Sequence, residues 1–444
     1  MPEPRLLPSL PIAPLIALCY DTGRQPKIMI QELKERLQDQ AQDLAAWFEA
    51  KKAGLKLSLY LSVDIRNSHR KISIVDTNAF PAGFNNLCGH GSGELTLTLR
   101  RFLEEHYPGA RGLLLVPESH TRNRLYLENV RVLAQALLQA GYELRVGTLL
   151  PTDSSRPLRL PAVSGELLCY GLSQEKGRLR AGDFEPDLVI SNNDFRTGVP
   201  EVLQGIAQPV APLKELGWHR RKKSDHFRIL NRLVAEFAEL IGMEAGRFVP
   251  LTDFHPDADF ESETGREALA HKVEAMLRQL AEQSRPPDLN GEPFVFIKDN
   301  SGTYGMAIMS VTSGDEVRRA SHKTRTRMRV GKGKAKVKEV IIQEGVVTRD
   351  SLAGCPMEPV LYLVGDQPVG GFFRVHCSRS DRQNLNVSGM TFNTLCFHEV
   401  EGQPQEIIDD HCGQPADLFL VYGTLGRIAA IALAEEIKAL GTEN

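Results

Sequence analysis

The order of apolar runs between residues 112 and 194 constrains the fold of this chain more than any other feature. The run "GLLLVPE" is typical of a short buried strand, a helical pattern follows from about Asn123, and "YELRVGTLL" is strand-like again. Gly141 suits the end of that helix, because glycine adopts positive φ at little cost. This strand–helix–strand order predicts a βαβ unit in a parallel sheet, to which "DLVISNND" adds a further strand.

Hydrogen-bonding side chains are crowded just after two of these strands, in residues 117–123 and 191–194. Ligands of parallel sheets bind beyond the carboxyl ends of the strands, so both segments are candidates for a binding site. Asn and Ser are also common in solvated loops and helix caps. Each segment taken alone is more typical of such a loop.

The rest of the chain is long enough to form a second folding unit, because 444 residues exceed what one hydrophobic core usually supports. A helical pattern from Pro26 precedes two strand-like runs, "LKLSLYLSVDIR" and "KISIVDTN". Later, a helix capped by Ser224 and closed by Gly242, two further helices over about 266–283 and 423–440, and an antiparallel pair, "PVLYLVG" and "GGFFRVH", are predicted. We therefore predict an amino-terminal α/β domain over residues 1–223 and an α+β domain over 224–444.

Composition indicates an ordinary globular protein, and the net charge of −3 gives no general attraction for nucleic acid or anionic membranes. We expect neither as a partner. The seven cysteines are widely spaced without a CxxC motif, which argues against a disulfide framework and a thiolate zinc site and favours a cytoplasmic location. No run approaches the ~18 apolar residues that span a bilayer. The apolar patch "PLIALC" does not predict a signal peptide.

The segment "FVFIKDNSGTYG", residues 294–305, runs from four apolar residues into a lysine and then into a polar turn. A buried ammonium without a partner is costly, so Lys298 needs an anion or a path to water. The turn offers backbone N–H groups with little obstruction from side chains, and such a turn can fold over phosphates. A hairpin turn with a surface lysine explains the segment equally well.

A second strand exit lies further along the chain, where "EVIIQEGVV" ends in polar residues followed by a glycine. Such a segment supplies the apolar slot and the backbone donors and acceptors that an adenine ring needs. The order of lysine, glycine turn, strand and hinge resembles the central part of the ATP-grasp fold, which holds ATP between two antiparallel sheets. The resemblance implies that these residues bind the nucleotide: Lys298, Ser301, Gly302, Tyr304, Gly305, Gln343, Glu344 and Val346.

A third segment, "GGFFRVHCSRSDRQNLNVSGM", is similar to a stretch of bacterial glutathione synthetases in which an arginine strand leads to an Arg-x-Asn-Leu segment. The resemblance implies that Arg374 acts with Lys298 in catalysis by stabilising charge on the transferred phosphoryl group. It also implies Asn386 as an oxygen ligand of Mg²⁺. ATP-grasp ligases often have a glutamate two residues before that asparagine, where this chain has Asn384. We therefore predict Asn384, Asn386 and Glu358 as the metal ligands.

Segments from about Leu55 to the end of the chain resemble a bacterial family of glutamate–cysteine ligases, distinct in sequence from the enterobacterial and plant types. The most specific are "VDTNAFPAGFNNL" and "SGTYGM". The resemblance implies a Rossmann-like pre-ATP-grasp domain followed by an ATP-grasp-like α+β domain. It also implies ATP- and Mg²⁺-dependent joining of the γ-carboxylate of L-glutamate to L-cysteine through a γ-glutamyl phosphate, the first step of glutathione synthesis.

The same resemblance implies a pocket for glutamate, which presents two carboxylates and an ammonium. Arg66 and Asp76 lie at the ends of the two strand-like runs, so we expect Arg66 to bind a carboxylate and Asp76 the ammonium. Ordinary ion pairs between strand ends are the alternative. The full set of predicted substrate-binding residues is Arg66, Asp76, Asn78, Asn85, Asn86, Arg122, Asn192 and Asn193. No nucleophilic cysteine is required, because the chemistry rests on positioning and charge neutralisation.

The basic segment "HKTRTRMRVGKGKAKVK", residues 322–338, leaves other functions open. It carries eight Lys and Arg residues and no acid, as in nucleic-acid-binding arms, but it lacks aromatic residues for base stacking. We expect a flap whose Lys332 or Lys334 reaches the triphosphate, or a solvated loop. An RNA-binding protein is the distant alternative, and a ligase with another amine acceptor is the closer one. The segment "CGHGSGE", residues 88–94, does not predict a dinucleotide site, because it does not open a helix at the required spacing.

Overall fold

The computed structural model describes residues 29–68, 70–88, 92–152, 156–283, 292–303, 305–395 and 416–441. The fold is mixed α/β, as the sequence predicts, whereas the Rossmann-like and ATP-grasp-like assignment of its parts stays a prediction. The helices are α1 Met29–Asp39, α2 Ala41–Lys52, α3 Ser92–His106, α4 Arg124–Gln139, α5 Lys223–Leu240, α6 Glu263–Gln283, α7 Gly314–Arg318, α8 His322–Arg329 and α9 Ala416–Gly441. The strands are β1 Tyr60–Asn67, β2 Ile72–Asn78, β3 Gly112–Pro117, β4 Glu143–Thr148, β5 Leu158–Pro161, β6 Glu166–Glu175, β7 Arg178–Ala181, β8 Leu188–Asn192, β9 Val210–Ala211, β10 Thr252–His255, β11 Val295–Asp299, β12 Ile308–Val311, β13 Val340–Glu344, β14 Ser351–Leu352, β15 Cys355–Val364, β16 Gln367–Val375 and β17 Thr391–Leu395.

The first sheet contains the predicted parallel unit. Its strand order is β5-β6-β4-β3-β8-β9, with β7 on β6, and β3 pairs in parallel with β4 and β8. Asn123 caps α4, since its side chain accepts the N–H of Tyr126 at 3.2 Å. Leu113 and Leu115 of β3 pack in one cluster with residues of α3 and α4, while the residues that alternate with them join the central core. The predicted βαβ unit and its third strand are confirmed.

The second sheet is six-stranded and antiparallel, and it is built from distant parts of the chain. Its order is β17-β16-β15-β1-β2, with β14 on β15. One face carries apolar side chains such as Leu61, Leu361 and Phe373, which lie in the core cluster that contains α9. The opposite face carries polar side chains. Because β1 pairs with β15, the predicted boundary at residue 223 does not separate the sheets, and the two-domain division stays a prediction.

The third sheet is four-stranded and antiparallel, in the order β10-β13-β11-β12. β11 is buried along its whole length between β12 and β13. Val295 and Ile297 lie in a core cluster with residues of α6. Phe296 and Lys298 alternate with them and therefore face the six-stranded sheet.

The carboxyl-terminal helix α9 forms the centre of the main core. By length and composition it could cross a membrane, which the sequence analysis did not anticipate. Its side chains are nevertheless buried against the rest of the protein, and Leu425, Ile428 and Leu433 are fully inaccessible. Core helices of this kind meet the same criterion, so the hydrophobicity of α9 is explained by its packing.

The predicted cap of α5 is wrong, and two neighbouring segments differ in detail from the expectation. The cap position of α5 is Lys222, and Ser224 lies inside the helix, where its N–H donates to Asn300 Oδ1 at 2.8 Å. The predicted helical pattern from Pro26 is confirmed from Met29 onward, as two helices that meet at Gln40. The segment 88–94 runs into α3, which begins within it. The strand before α3 is β2 of the antiparallel sheet, so the dinucleotide interpretation still has no support.

The cysteines correct a further expectation. Cys355 and Cys377 form a disulfide with their Cα atoms 4.5 Å apart, and Cys88 is disulfide-bonded as well. Cys355 begins β15 and Cys377 follows β16, so antiparallel pairing brings together two residues that are 22 apart in the sequence. The cysteine pattern therefore gives no support to the predicted cytoplasmic location.

Candidate active site

A cavity lies between the two antiparallel sheets. Its floor is the polar face of the six-stranded sheet, and its roof is formed by β11, β12, the turn between them and the end of β13. The structure brings most of the predicted nucleotide, substrate and metal residues together here. Those that line the cavity are Arg66, Asp76, Asn78, Asn86, Lys298, Gly302, Gly305, Gln343, Glu344, Val346, Glu358, Arg374, Asn384 and Asn386.

The register of the six-stranded sheet arranges the floor in three rows that run across the strands. Residues two apart on a strand share a face, so neighbouring rows are about 6.6 Å apart. The floor changes from charged to aromatic and hydroxyl-bearing along this direction. The charged row is Arg66, Glu358 and Arg374, the middle row is Asp76, Asp64, Val360 and Phe372, and the hydroxyl row is Asn78, Ser62, Tyr362 and Gly370.

Glu358, a predicted metal ligand, is buried between two guanidinium groups. Its carboxylate accepts Arg66 Nε at 2.8 Å and Arg374 Nη1 at 2.6 Å. Burial raises the pKa of Glu358, but the two arginines outweigh burial and hold the pKa below its usual value. Arg66 also donates to the backbone oxygens of Val346 and Gln383, at 3.0 and 2.6 Å. These bonds give Arg66 a positioning role between floor and roof, and its contact with a substrate carboxylate stays a prediction.

Arg374 is a buried cation with an unused donor. Its Nη1 also donates to Asp64 Oδ2 at 3.1 Å, while its buried Nε has no hydrogen-bond partner within the described ranges. Burial lowers the pKa of Arg374, but Asp64 and Glu358 raise it by more than burial lowers it. The net shift is upward, so the guanidinium stays charged. Burial also raises the pKa of Asp64, which Arg374 offsets only in part.

Asp76 is already paired with a cation that the sequence analysis did not single out. Lys223 Nζ donates to both carboxylate oxygens of Asp76, to Oδ2 at 2.6 Å. Burial raises the pKa of Asp76, but Lys223 and Lys298 outweigh burial and the net shift is downward. The ion pair was the alternative explanation for this residue, and ammonium binding by Asp76 stays a prediction.

Lys298 is buried in the roof with 9% of its surface exposed. Its Nζ donates to two neutral acceptors, Gln343 Oε1 at 2.6 Å and Val75 O at 3.3 Å. No carboxylate of the described residues lies within ion-pair distance of this amine. Burial lowers the pKa of Lys298 to about 8, although Asp76 raises it. The alternative of a surface lysine is therefore wrong, and the amine is suited to bind an anion in the cavity.

The glycine turn between β11 and β12 closes against the segment that holds two predicted metal ligands. Gly305 has a φ of 66°, and a Cβ there would overlap with the backbone oxygen of Asn386, so the position requires glycine. Asn384 donates from Nδ2 to the backbone oxygen of Gly305 at 3.3 Å and accepts the N–H of Asn386 at 3.0 Å. The turn and this segment therefore act as one wall of the cavity.

The predicted adenine hinge is buried at the edge of the cavity, but many of its polar groups already have protein partners. Gln343 holds Lys298, and Glu344 Oε2 accepts Lys71 Nζ at 2.5 Å. The N–H of Gly345 donates to the backbone oxygen of Phe294, the residue before β11, at 2.7 Å. The backbone oxygen of Val346 accepts a hydrogen bond from Arg66 Nη1. The contact of these residues with adenine stays a prediction.

Several predicted residues do not line the cavity. Asn192 is buried and donates to Pro81 O at 2.8 Å, which fixes one wall of the cavity from behind. Asn193 closes a turn by accepting the N–H of Phe195 at 2.9 Å, as expected of a loop residue. Arg122 is exposed beside a separate small cavity beyond β3.

The remaining nucleotide and substrate candidates are placed as follows. Asn85 donates to Asn86 Oδ1 at 3.1 Å, and only Asn86 lines the cavity. Ser301 is buried and donates to the backbone oxygen of Arg221 at 3.2 Å. Tyr304 and the side chain of Lys334 lie outside the part of the chain that the structure describes.

Lys332 contacts the parallel sheet instead of the cavity. Its Nζ donates to Glu118 and to Asp194 Oδ2, the latter at 2.9 Å, beyond the ends of β3 and β8. Arg196, two residues after Asp194, donates from Nη2 to Asp299 Oδ2 at 2.6 Å. Asp299 is the residue after Lys298. The basic segment is thus tied by ion pairs to the loops of the parallel sheet.

Among the cavity-lining residues that sequence reasoning missed are Asp64, Lys223, Tyr362 and Phe372. The signal that could have found Asp64 is the alternation along β1, where apolar residues point to the core and polar ones to the other face. Tyr362 and Phe372 carry no such signal, because both sit in continuous apolar runs.

Comparisons with known proteins agree on one family. A family model described as Glutamate-cysteine ligase matches residues 34–437. The crystal structure of a protein from Methylobacillus flagellatus KT, provisionally named gamma-glutamylcysteine synthetase, is 35% identical with a TM-score of 0.83. That similarity covers 94% of this chain and 98% of the other.

Two further comparisons add nothing to the assignment. A glutathione synthetase-like effector from Globodera pallida covers 78% of each chain at 10% identity, and its TM-score of 0.35 is too low to carry an argument. A search of curated proteins gives no match.

Proposed function

This chain belongs to the glutamate–cysteine ligase family, and from that premise we propose that the cavity between the two antiparallel sheets is its active site. Its function is the ligation of glutamate to cysteine, the first step of glutathione synthesis, and the family uses ATP. In the proposed site the γ-carboxylate of L-glutamate is first converted to γ-glutamyl phosphate. The amine of L-cysteine then displaces the phosphate.

The observation that carries the placement of ATP is the buried amine of Lys298. It lies in the cavity beside the glycine turn, with neutral acceptors only. A triphosphate would give this ammonium the anionic partner that its burial demands. Gly302 and Gly305 line the same side, so the phosphates would lie between the amine and the turn.

The chemistry assigns Arg374 and Asp64 to separate steps. A γ-carboxylate oxygen of glutamate attacks the γ-phosphorus of ATP, the bond to the bridging oxygen breaks, and ADP leaves. Arg374 stabilises charge on the transferred phosphoryl group through its guanidinium charge. The acceptor nitrogen then bonds to the acyl carbon, and inorganic phosphate leaves. Asp64, whose pKa burial raises, takes the proton that the nitrogen loses.

Mg²⁺ is typical of such ligases, but two of the three predicted ligands already bond to protein groups: both carboxylate oxygens of Glu358 accept arginines, and Asn384 Oδ1 accepts the N–H of Asn386. In the described ranges no three His, Cys, Asp or Glu side chains form a metal-binding group. Mg²⁺ is usually held by one or two carboxylates together with substrate phosphates. Glu358 and Asn384 would have to exchange these bonds to hold the ion, so of the predicted ligands Asn386 suits this role best, together with the phosphates of ATP. The ion would neutralise phosphate charge.

Phosphate release from ATP by the purified protein tests the proposed function. We expect release that requires glutamate and is faster with cysteine than with alanine or 2-aminobutyrate. Lys298→Ala should abolish it while circular dichroism stays unchanged, and Lys438→Ala, an exposed lysine near the end of α9, should have no effect. Phosphate release that depends on neither glutamate nor cysteine would contradict the assignment, and so would equal rates with cysteine and alanine.

A further inference from the structure

The cavity has an aromatic end that the phosphoryl chemistry does not use. Tyr362, Phe372 and Phe392 line it, together with Val360 and Met390. The ring centroids of Tyr362 and Phe372 are 5.7 Å apart, and those of Phe372 and Phe392 are 5.0 Å apart. Phe392 is 38% exposed although it is large and apolar. This end therefore presents an open apolar surface to the cavity.

The hydroxyl of Tyr362 is unsatisfied at this end. Tyr362 is 3% exposed, and no hydrogen bond joins its hydroxyl to any residue that the structure describes. Ser62, its cross-strand neighbour, is also buried without a partner for its hydroxyl in the same part of the chain. Neither hydroxyl oxygen is sealed from the cavity, so both are available to a ligand that bonds to them.

Gly83 makes room for this hydroxyl. A Cβ at position 83 would lie 2.6 Å from the Tyr362 oxygen and 3.1 Å from the Phe372 ring. The loop "FPAGF" therefore packs over the aromatic end without a side chain that would fill it. Pro81 and Ala82 of the same loop complete the wall.

The position of the aromatic end relative to the charged row limits what it can hold. Phe372 is two residues from Arg374 on β16, a distance of about 6.6 Å along the strand. When the amine of the acceptor attacks near Arg374, the short side chain of the acceptor would reach the aromatic end. Tyr362 lies in the hydroxyl row, which contains no charged residue, so the part of the cavity next to Tyr362 does not suit the charged groups of glutamate or the phosphates of ATP.

We propose that the aromatic end formed by Tyr362, Phe372 and Phe392 binds the side chain of the amine acceptor and selects a thiol. The inference rests on the proposed function and adds the determinant of acceptor specificity. Sulfur packs favourably near aromatic rings, and the Tyr362 hydroxyl donates to it. The side chain of 2-aminobutyrate has no atom that bonds to a hydroxyl and would leave Tyr362 unpaired.

The test is the ratio of kcat/KM for cysteine to that for 2-aminobutyrate in Tyr362→Phe. We expect this ratio to fall about tenfold, as the loss of one hydrogen bond implies. The rate with 2-aminobutyrate and the KM values for ATP and glutamate should stay unchanged, because none of them uses this hydroxyl. Tyr107→Phe, a partly buried tyrosine beyond the end of α3, is the matched control and should keep the wild-type ratio.

An unchanged ratio in active Tyr362→Phe would overturn the inference alone. A raised KM for ATP with an unchanged ratio would place adenine at this end and overturn it too. If Tyr362→Phe does not fold, Phe392→Ala at the partly exposed rim decides: a higher KM for cysteine supports the inference, and an unchanged KM overturns it. Wild-type protein without cysteine-dependent turnover would overturn the proposed function and this inference with it.

Discussion

At the scale of single residues, Lys298 shows what a buried charge costs the fold. Burial lowers its pKa from 10.5 to about 8. Between these values the unfolded chain binds more protons than the folded one, so the stability contribution of Lys298 rises with pH through this window. Below about pH 8 the charged amine opposes folding. An anionic ligand offsets that cost, which makes Lys298 a binding residue and a poor stabiliser.

The affinity for ATP should fall as pH rises through about 8, because Lys298 then loses its charge. Lys298→Arg keeps its charge and should show a flatter profile. Equilibrium dialysis with a non-hydrolysable ATP analogue across this range measures the effect. Lys438→Ala is the control and should follow the wild type. A wild-type affinity that does not change with pH would count against Lys298 as the phosphate ligand.

Gly305→Ala should impair nucleotide binding more than stability. The added Cβ would meet the Asn386 backbone, and the positive φ strains any other residue, so the turn must move away from the cavity. We expect the KM for ATP to rise at least about tenfold. Gly246→Ala is the control, since no atom lies within 4 Å of its Cβ position and its φ is not positive. Equal KM values in both variants would show that the turn does not cover the phosphates.

At the scale of elements, the hairpin of β15 and β16 organises the floor. Its register pairs Glu358 with Arg374, and the Cys355–Cys377 disulfide closes its open end three residues beyond that pair. The hairpin itself was predictable, because both strands are continuous apolar runs around a polar turn. The partner of β15 on its other side was not, because the bond from Arg66 to Glu358 spans 292 residues and leaves no local pattern.

Removal of the disulfide should destabilise the protein without abolishing the site. For a closed loop of 22 residues, the loss of the cross-link in Cys355→Ser/Cys377→Ser should lower the free energy of unfolding by about 3 kcal/mol. Denaturant unfolding measures this, and peptide mapping without reductant should recover residues 355 and 377 in one linked fragment. Free thiols at both positions in the wild type would contradict the pairing.

At the scale of the whole molecule, a buried ion cluster ties α5 and the segment before it to α9. Arg221 Nε lies 2.8 Å from Glu436 Oε1, and His226 Nδ1 lies 3.0 Å from Oε2. Burial raises the pKa of Glu436, but Arg221 and His226 outweigh burial and the net shift is downward. Its contribution to stability is therefore present above the unfolded pKa of about 4.5 and is lost as pH falls through the folded value.

Glu436→Gln should cost about 3–5 kcal/mol of the free energy of unfolding near neutral pH, because it leaves the Arg221 charge buried without a counterion. Glu435→Gln, at the neighbouring position on α9, removes only a pair with the half-exposed Arg232 and should cost about 1 kcal/mol or less. Urea denaturation of the two variants gives the comparison. Equal losses would show that the cluster does not hold the helices together.

The sequence predicted what local patterns encode and missed what only the assembled molecule shows. The unit β3-α4-β4 follows from periodicity, and Lys298 follows from one charge at the end of a buried strand. The ion pairs of Lys332 were not predictable, because its partners Glu118 and Asp194 come from loops of another sheet. The same holds for Tyr362, whose role depends on which face of β15 meets the cavity. The contact of Lys332 with the triphosphate stays a prediction.

The central claim is that the triphosphate of ATP lies between the two antiparallel sheets, held by Lys298 and the glycine turn. A crystal structure of the protein with glutamate, Mg²⁺ and a non-hydrolysable ATP analogue tests it most directly. We expect a phosphate oxygen about 2.7–2.9 Å from Lys298 Nζ, with the glycine turn over the phosphates. A nucleotide bound elsewhere, with Lys298 still held only by Gln343 and Val75, would contradict it.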